Sequence, residues 1–164
     1  MISDQKLSLL ANELGDLLSQ RDFMLVSAES CTGGWIGQTV TAIAGSSKWY
    51  DRGFITYSNL SKKEMLGVDE RSLQKFGAVS EQIASQMASG AISHSCAHVS
   101  IAVTGIAGPG GATEGKPVGM ICLGWAIKDG LARNAAYFLE GDREAIRRQA
   151  VAIALQGAID LIKD

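Results

Sequence analysis

The sequence predicts an α/β fold: a three-layer α/β/α sandwich with a mixed, mostly parallel sheet. Three observations carry this. Stretches with helical apolar spacing alternate with short apolar runs of strand length along the 164 residues, the pattern of helices covering both faces of a sheet. Glycine clusters follow two of the strand-like runs, at Gly33-Gly34 and from Gly105 to Gly111, where open α/β sheets place their ligands. An Asp129-Gly130 turn between two further strand-like runs marks an antiparallel hairpin and makes the sheet mixed.

The elements follow in order. Leu7, Leu10, Ala11, Leu14, Leu17 and Leu18 recur at helical spacing, so residues 3–20 form an amphipathic helix. Phe23 to Ala28 is a short apolar run, long enough for a buried strand, and the turn Glu29-Ser30-Cys31-Thr32-Gly33-Gly34 leads into a helix from Trp35 to about Ala44. Trp49 to Tyr57 is a second strand, broken by Ser58-Asn59-Leu60-Ser61 ahead of a short helix from Lys62 to Leu66. Ser80 caps a helix whose inward stripe is Ile83, Ala84, Met87 and Ala91. His98–Thr104 and Val118–Ile127 are strands, and Leu131–Leu139 is the hairpin partner of the second. Asp142 caps a long last helix with Ile146, Ala150, Ile153, Ala154, Gly157 and Leu161 toward the core.

Composition bounds the function. An apolar content of 46% supports a core without staples, and no linker or charge block divides residues 1–164 into more than one domain. Lys and Arg number 15 against 17 Asp and Glu, so no positive field gathers nucleic acid. Cys31, Cys96 and Cys122 form neither a disulfide framework nor a C-x-x-C pair, which fits a reducing, cytoplasmic setting. No run of eighteen apolar residues exists to enter a membrane.

Several familiar chemistries fail on their residues. Gly110 to Lys116 has Walker-like spacing, but Pro117 stands where a hydroxyl must reach Mg²⁺. The first strand turn lacks the dinucleotide fingerprint. His94 and His98 lie four apart with no acidic third ligand nearby, so no metal site is expected. A serine activated by a lysine remains. Ser30 sits at a strand-to-helix turn, where the amides of Cys31 and Thr32 can meet an oxyanion. Lys62 starts a helix, whose positive dipole end disfavours an ammonium, and burial lowers its pKa further. A half-neutral amine near pH 7 requires a shift of roughly three units, about 4–5 kcal/mol. The competing reading makes Ser30 a helix cap and Lys62 a solvated lysine. Cys31 is a rival nucleophile, read as a buried thiol because no base is identifiable for it.

Six blocks in order, Ala28 to Gly34, Tyr57-Ser58-Asn59 with Lys62 and Leu66-Gly67-Val68, Gly77 to Ser80, Thr104 to Pro109, Lys116 to Gly119 and Gly141-Asp142-Arg143, resemble the nicotinamide-nucleotide amidase family, that of the CinA C-terminal domain. The resemblance implies hydrolysis of the carboxamide of nicotinamide mononucleotide in pyridine-nucleotide salvage, with no metal or other cofactor and as a homo-oligomer. It implies Ser30 as nucleophile, Lys62 as its base and Tyr57 as a second polar group that positions or relays the proton. Cys31, Thr32, Gly33, Gly34, Asn59, Thr104, Gly105, Gly108 and Arg143 would bind substrate. Arg143, with Arg147 or Arg148, is a candidate for the phosphate, unless the three are a solvated cluster beside the Asp142 cap. Gly110 and Gly115 depart from the acidic residues usual in the family. The alternative function is a catalytically silent nucleotide-binding paralogue of the same fold.

Overall fold

The computed structural model describes all residues from Met1 to Asp164. Its centre is a five-stranded sheet in the order β2-β1-β3-β4-β5, made of β1 (Leu25–Glu29), β2 (Tyr50–Ile55), β3 (Val99–Gly105), β4 (Met120–Ile127) and β5 (Ala132–Phe138). The pairings of β1 with β2 and with β3 are parallel, and those of β4 with β3 and with β5 are antiparallel. Four strands therefore run one way and β4 alone runs the other, which is the mixed, mostly parallel sheet the sequence predicts.

Six helices cover the two faces: α1 (Asp4–Gln20), α2 (Trp35–Thr41), α3 (Asn59–Leu66), α4 (Glu70–Phe76), α5 (Glu81–Ser93) and α6 (Arg143–Lys163). Side chains alternate across a strand, and the two cores follow that alternation. Leu25, Val99, Ile101 and Val103 face the cluster built from α1, α2 and α6, whereas Val26, Ala28 and Ala102 face the cluster built from α3, α4 and α5. β1 is buried at every position because strands flank it and helices cover both sides. Leu7, Leu10, Ala11, Leu14 and Leu18 form the buried stripe of α1, as their spacing predicts.

Two local differences from the sequence expectations have physical causes. Helix α3 starts at Asn59, not Lys62, because the Ser58 hydroxyl accepts the Ser61 amide at 3.1 Å and caps it. The polar stretch read as a break is a helix start. Helix α4 was not expected from the sequence; Asp69 caps it through the Ser72 amide at 2.8 Å, and only Leu73 of its seven residues is buried, too few for a periodic apolar signal. Ile153 and Gly157 are half-buried but do face the core, Ile153 packing against the α1, α2 and α6 cluster and Gly157 lying against the Trp125 ring.

The crossing of α3 over α5 depends on Gly90. A Cβ there would run into the Leu66 carbonyl and Leu66 Cβ, so glycine permits the approach that seats α3, and Lys62 with it.

Candidate active site

The site forms where β1 ends. Glu29 and Ser30 are consecutive, and pairing with β3 continues through the Ser30 amide, which donates to the Val103 carbonyl at 3.0 Å. The alternation of an extended chain sends their side chains to opposite faces. Ser30 lies on the face of α3 and α5, while Glu29 lies on that of α2 and α6.

On the first face, α3 delivers Lys62, the largest fully buried side chain of the chain at 1% exposure. Its Nζ lies 3.0 Å from Ser30 Oγ, 2.8 Å from the Thr56 carbonyl oxygen and 3.3 Å from that of Tyr57. Burial lowers the Lys62 pKa from 10.5 to about 8, with a small opposing pull from the Cys31 thiol. Lys62 does not start its helix, so the positive dipole end expected to disfavour its ammonium is not beside it. With Ser58 as cap, Lys62 lies a full turn inside α3, and desolvation alone accounts for the shift. As a neutral amine Lys62 can donate its two N–H groups to the two carbonyls, leaving its lone pair to accept from the Ser30 hydroxyl.

On the opposite face, both Glu29 carboxylate oxygens are engaged. Oε1 accepts the Thr32 hydroxyl at 2.7 Å and the Ile36 amide at 2.9 Å, and Oε2 accepts the Gly37 amide at 3.0 Å. This buried carboxylate ties the Ser30 turn to the start of α2, whose entry needs the positive φ of 101° at Gly34. Arg147 of α6 clamps the same turn, its Nε and Nη2 donating at 2.9 Å each to the Cys31 and Thr32 carbonyls.

The expected site residues, apart from Gly108, line two hollows that share Arg143. Ser30, Cys31, Tyr57, Asn59, Lys62, Thr104, Gly105 and Arg143 line a cleft of about 180 Å³, with Ala78, Val79 and Ala107 as its apolar walls. Thr32, Gly33 and Gly34 line a wider hollow of about 520 Å³ beside Trp35, Gln38 and Arg147. Arg143 borders both. Its Nη1 donates to the Gly108 carbonyl at 2.8 Å and its Nη2 to the Tyr57 hydroxyl at 3.4 Å.

Individual contacts refine the roles. Tyr57 is 65% exposed and its phenol meets Arg143; what reaches Ser30 and Lys62 is the Tyr57 carbonyl, 3.5 Å from Ser30 Oγ. The Thr104 hydroxyl donates to the Ala78 carbonyl at 2.9 Å and holds the cleft wall. Cys31 is buried with its thiol pushed up to about 12 by desolvation, so it packs as a thiol. Arg148 pairs with Asp4 and Glu144. His94 and His98 use their Nδ1 atoms on the Gly90 carbonyl and the Met24 amide.

One contributor, Glu29, was missed in the sequence, and Arg147 was placed among the phosphate candidates rather than at the turn it clamps. Glu29 could have been found as a carboxylate one residue before Ser30 and just ahead of a helix start, where a negative group is favoured. Arg147 lies four residues after Arg143 and so on the same helix face. The walls Ala78 and Val79 carry no chemical signal.

The chain compares closely with proteins of known name. The model of the CinA C-terminal domain matches residues 7–162. The nicotinamide-nucleotide amidohydrolase PncC of Enterobacter agglomerans is 48% identical over 158 residues, covering 96% of each chain. Its namesake in Escherichia coli K12 is 44% identical over 155 residues, covering 94% of each. The crystal structure of competence/damage inducible protein CihA from Agrobacterium tumefaciens superposes with a TM-score of 0.92 at 41% identity, over 97% of this chain and 96% of that one. With a match along almost its whole length, the chain belongs to the CinA C-terminal domain family.

Proposed function

We propose that the protein is a nicotinamide-nucleotide amidase, hydrolysing the carboxamide of nicotinamide mononucleotide to nicotinate mononucleotide and ammonia in pyridine-nucleotide salvage. The observation that carries this reading is the buried Lys62 amine 3.0 Å from Ser30 Oγ, with two carbonyls to absorb its N–H groups. The names of the two PncC relatives support the substrate.

The Ser30 hydroxyl passes its proton to Lys62 as Oγ bonds to the carboxamide carbon, and the C=O electron pair moves onto oxygen. The oxyanion collapses, the C–N bond breaks, and the departing nitrogen takes the proton from Lys62 and leaves as ammonia. Water then attacks the ester, giving a proton to Lys62, and Ser30 recovers it as the C–Oγ bond breaks. The amides of Cys31 and Thr32 donate to no other residue, which supports them as partners of the oxyanion.

The cleft at Ser30 is smaller than the ligand pockets of about 300–1,000 Å³ common in proteins, whereas the adjoining hollow is about 520 Å³. The pyridine carboxamide fits the first and the ribose phosphate the second. Arg143 lies between them as the phosphate partner, with Asn59, Gly105 and Gly108 at the rim and Tyr57 over Arg143. A silent nucleotide-binding paralogue has no use for a buried amine against a hydroxyl. No helix is long and apolar enough to cross a membrane. Exposed Ile55, Tyr57 and Leu60 near the cleft support association of copies of the chain, which sedimentation velocity tests. For the activity itself, wild-type protein with chelator present is expected to release ammonia from nicotinamide mononucleotide. Ser30→Ala is expected to release none while melting cooperatively, and unchanged turnover in that variant overturns the mechanism.

A further inference from the structure

Arg147 is a candidate phosphate ligand by sequence, but its contacts give it another task. It projects from α6, on the face of the sheet opposite Ser30 Oγ and Lys62, and spends Nε and Nη2 on the carbonyls of Cys31 and Thr32. The Trp35 ring lies 5.2 Å from its guanidinium carbon and fixes that plane.

In a trans peptide the C=O and N–H point in opposite directions. Drawing the Cys31 carbonyl toward α6 therefore turns the Thr32 amide toward the other face, where the nucleophile stands. The neighbouring peptide is fixed too, because the Ser30 carbonyl accepts the Gly33 amide at 3.1 Å, which sends the Cys31 amide away from the turn's interior. The Thr32 hydroxyl is held by Glu29, and the Thr32 carbonyl also accepts the Trp35 amide at 3.2 Å. In this turn the amides of Cys31, Thr32 and Gly34 have no acceptor in another residue, and those of Cys31 and Thr32 are the two that directly follow Ser30.

Resting on the Ser30 acyl-transfer reading, we infer that Arg147 is a positioning residue that builds the oxyanion hole from behind, by holding two carbonyls so that the amides beside Ser30 face the reacting carbonyl. A planar fork suits two carbonyls one residue apart, and a lysine point charge does not. The same contacts leave the phosphate to Arg143.

The test uses Arg147→Lys and Arg147→Ala with two readouts. One is steady-state hydrolysis of nicotinamide mononucleotide. The other is phosphonylation by a fluorophosphonate, in which the Ser30 Oγ–P bond forms as P–F breaks, fluoride leaves and the Ser30 proton passes to Lys62. Arg147→Lys is expected to lower kcat and the phosphonylation rate together by about 10²-fold, with KM within about threefold of wild type. Millimolar guanidinium is expected to restore part of the rate of Arg147→Ala. A raised KM with kcat kept, or phosphonylation at the wild-type rate, overturns the inference. If Arg147→Lys does not fold, Arg147→Gln, which keeps a donor for one carbonyl, gives the same comparison. Wild-type protein phosphonylated at Ser30 yet inert on the nucleotide sinks the substrate assignment and leaves the Arg147 comparison decisive.

Discussion

If Lys62 is the base, the reaction must follow its neutral fraction. With the amine titrating at about 8, about a tenth is neutral at pH 7, half at pH 8 and about nine-tenths at pH 9. The value of kcat/KM, which reports the free enzyme, is then expected to rise about fivefold from pH 7 to 8 and less than about twofold from 8 to 9. Phosphate ionisation, near pH 6, lies below that window, and ammonia release at low substrate measures it. The same shift links to stability. Between about 8 and 10.5 the unfolded chain holds a proton that folded Lys62 has shed, so stability rises with pH across that range. At about 1.4 kcal/mol per unit the gain is about 3 kcal/mol. It is read as the difference between wild type and Lys62→Met in urea melts, which cancels groups common to both. A pH-independent kcat/KM from 7 to 9, together with a wild-type minus Lys62→Met difference that stays constant to pH 10, refutes the reasoning.

The other predictions probe the supports of the site. Glu29→Gln turns an amide NH₂ toward donors that need acceptors, and is expected to cost about 1–3 kcal/mol in urea melts and to lower kcat. Gly90→Ala forces α3 away from α5, and is expected to lower Tm and to reduce kcat more than it raises KM, because α3 carries Lys62. Iodoacetamide near pH 8 is expected to label exposed Cys96 and spare buried Cys31, with activity intact, as peptide mass mapping shows.

Much of this was legible in the sequence, and the limits are physical. β1 and β3 are mostly apolar, broken by Ser27, Glu29, Ser100 and Thr104, because they are buried on both faces, and α1 and α5 carry periodic stripes because one face of each meets a core. Those signals are strong. Ser30 is marked by its place after a strand and before Gly33-Gly34, and Lys62 by the block that follows Tyr57. The sequence offers nothing local to say that Tyr57 contributes its carbonyl at Lys62 while its phenol meets Arg143, since every residue has a carbonyl and only the fold aims it. The same holds for Arg147, whose partners are backbone atoms 116 and 115 residues away. Helix α4 escapes notice for a different reason: with Leu73 alone buried, tertiary packing holds it rather than an amphipathic pattern.

The placement of Glu29 keeps negative charge away from buried Lys62. A carboxylate beside Lys62 would stabilise the ammonium and return its pKa toward the ordinary value, removing the neutral fraction that the proposed mechanism uses. The acidic residue nearest the nucleophile in sequence is Glu29, one position away, yet the pleat carries it to the other side of the sheet, where its three hydrogen bonds go to the turn and to α2. Lys62 is left with uncharged acceptors, the carbonyls of Thr56 and Tyr57 and the Ser30 hydroxyl. These satisfy its N–H groups and so avoid the penalty of unpaired buried donors, without the Coulombic attraction that would hold the proton. One residue of register at the end of β1 thus separates the carboxylate that shapes the backbone of the turn from the amine proposed to activate its hydroxyl, and sheet alternation keeps them from neutralising each other.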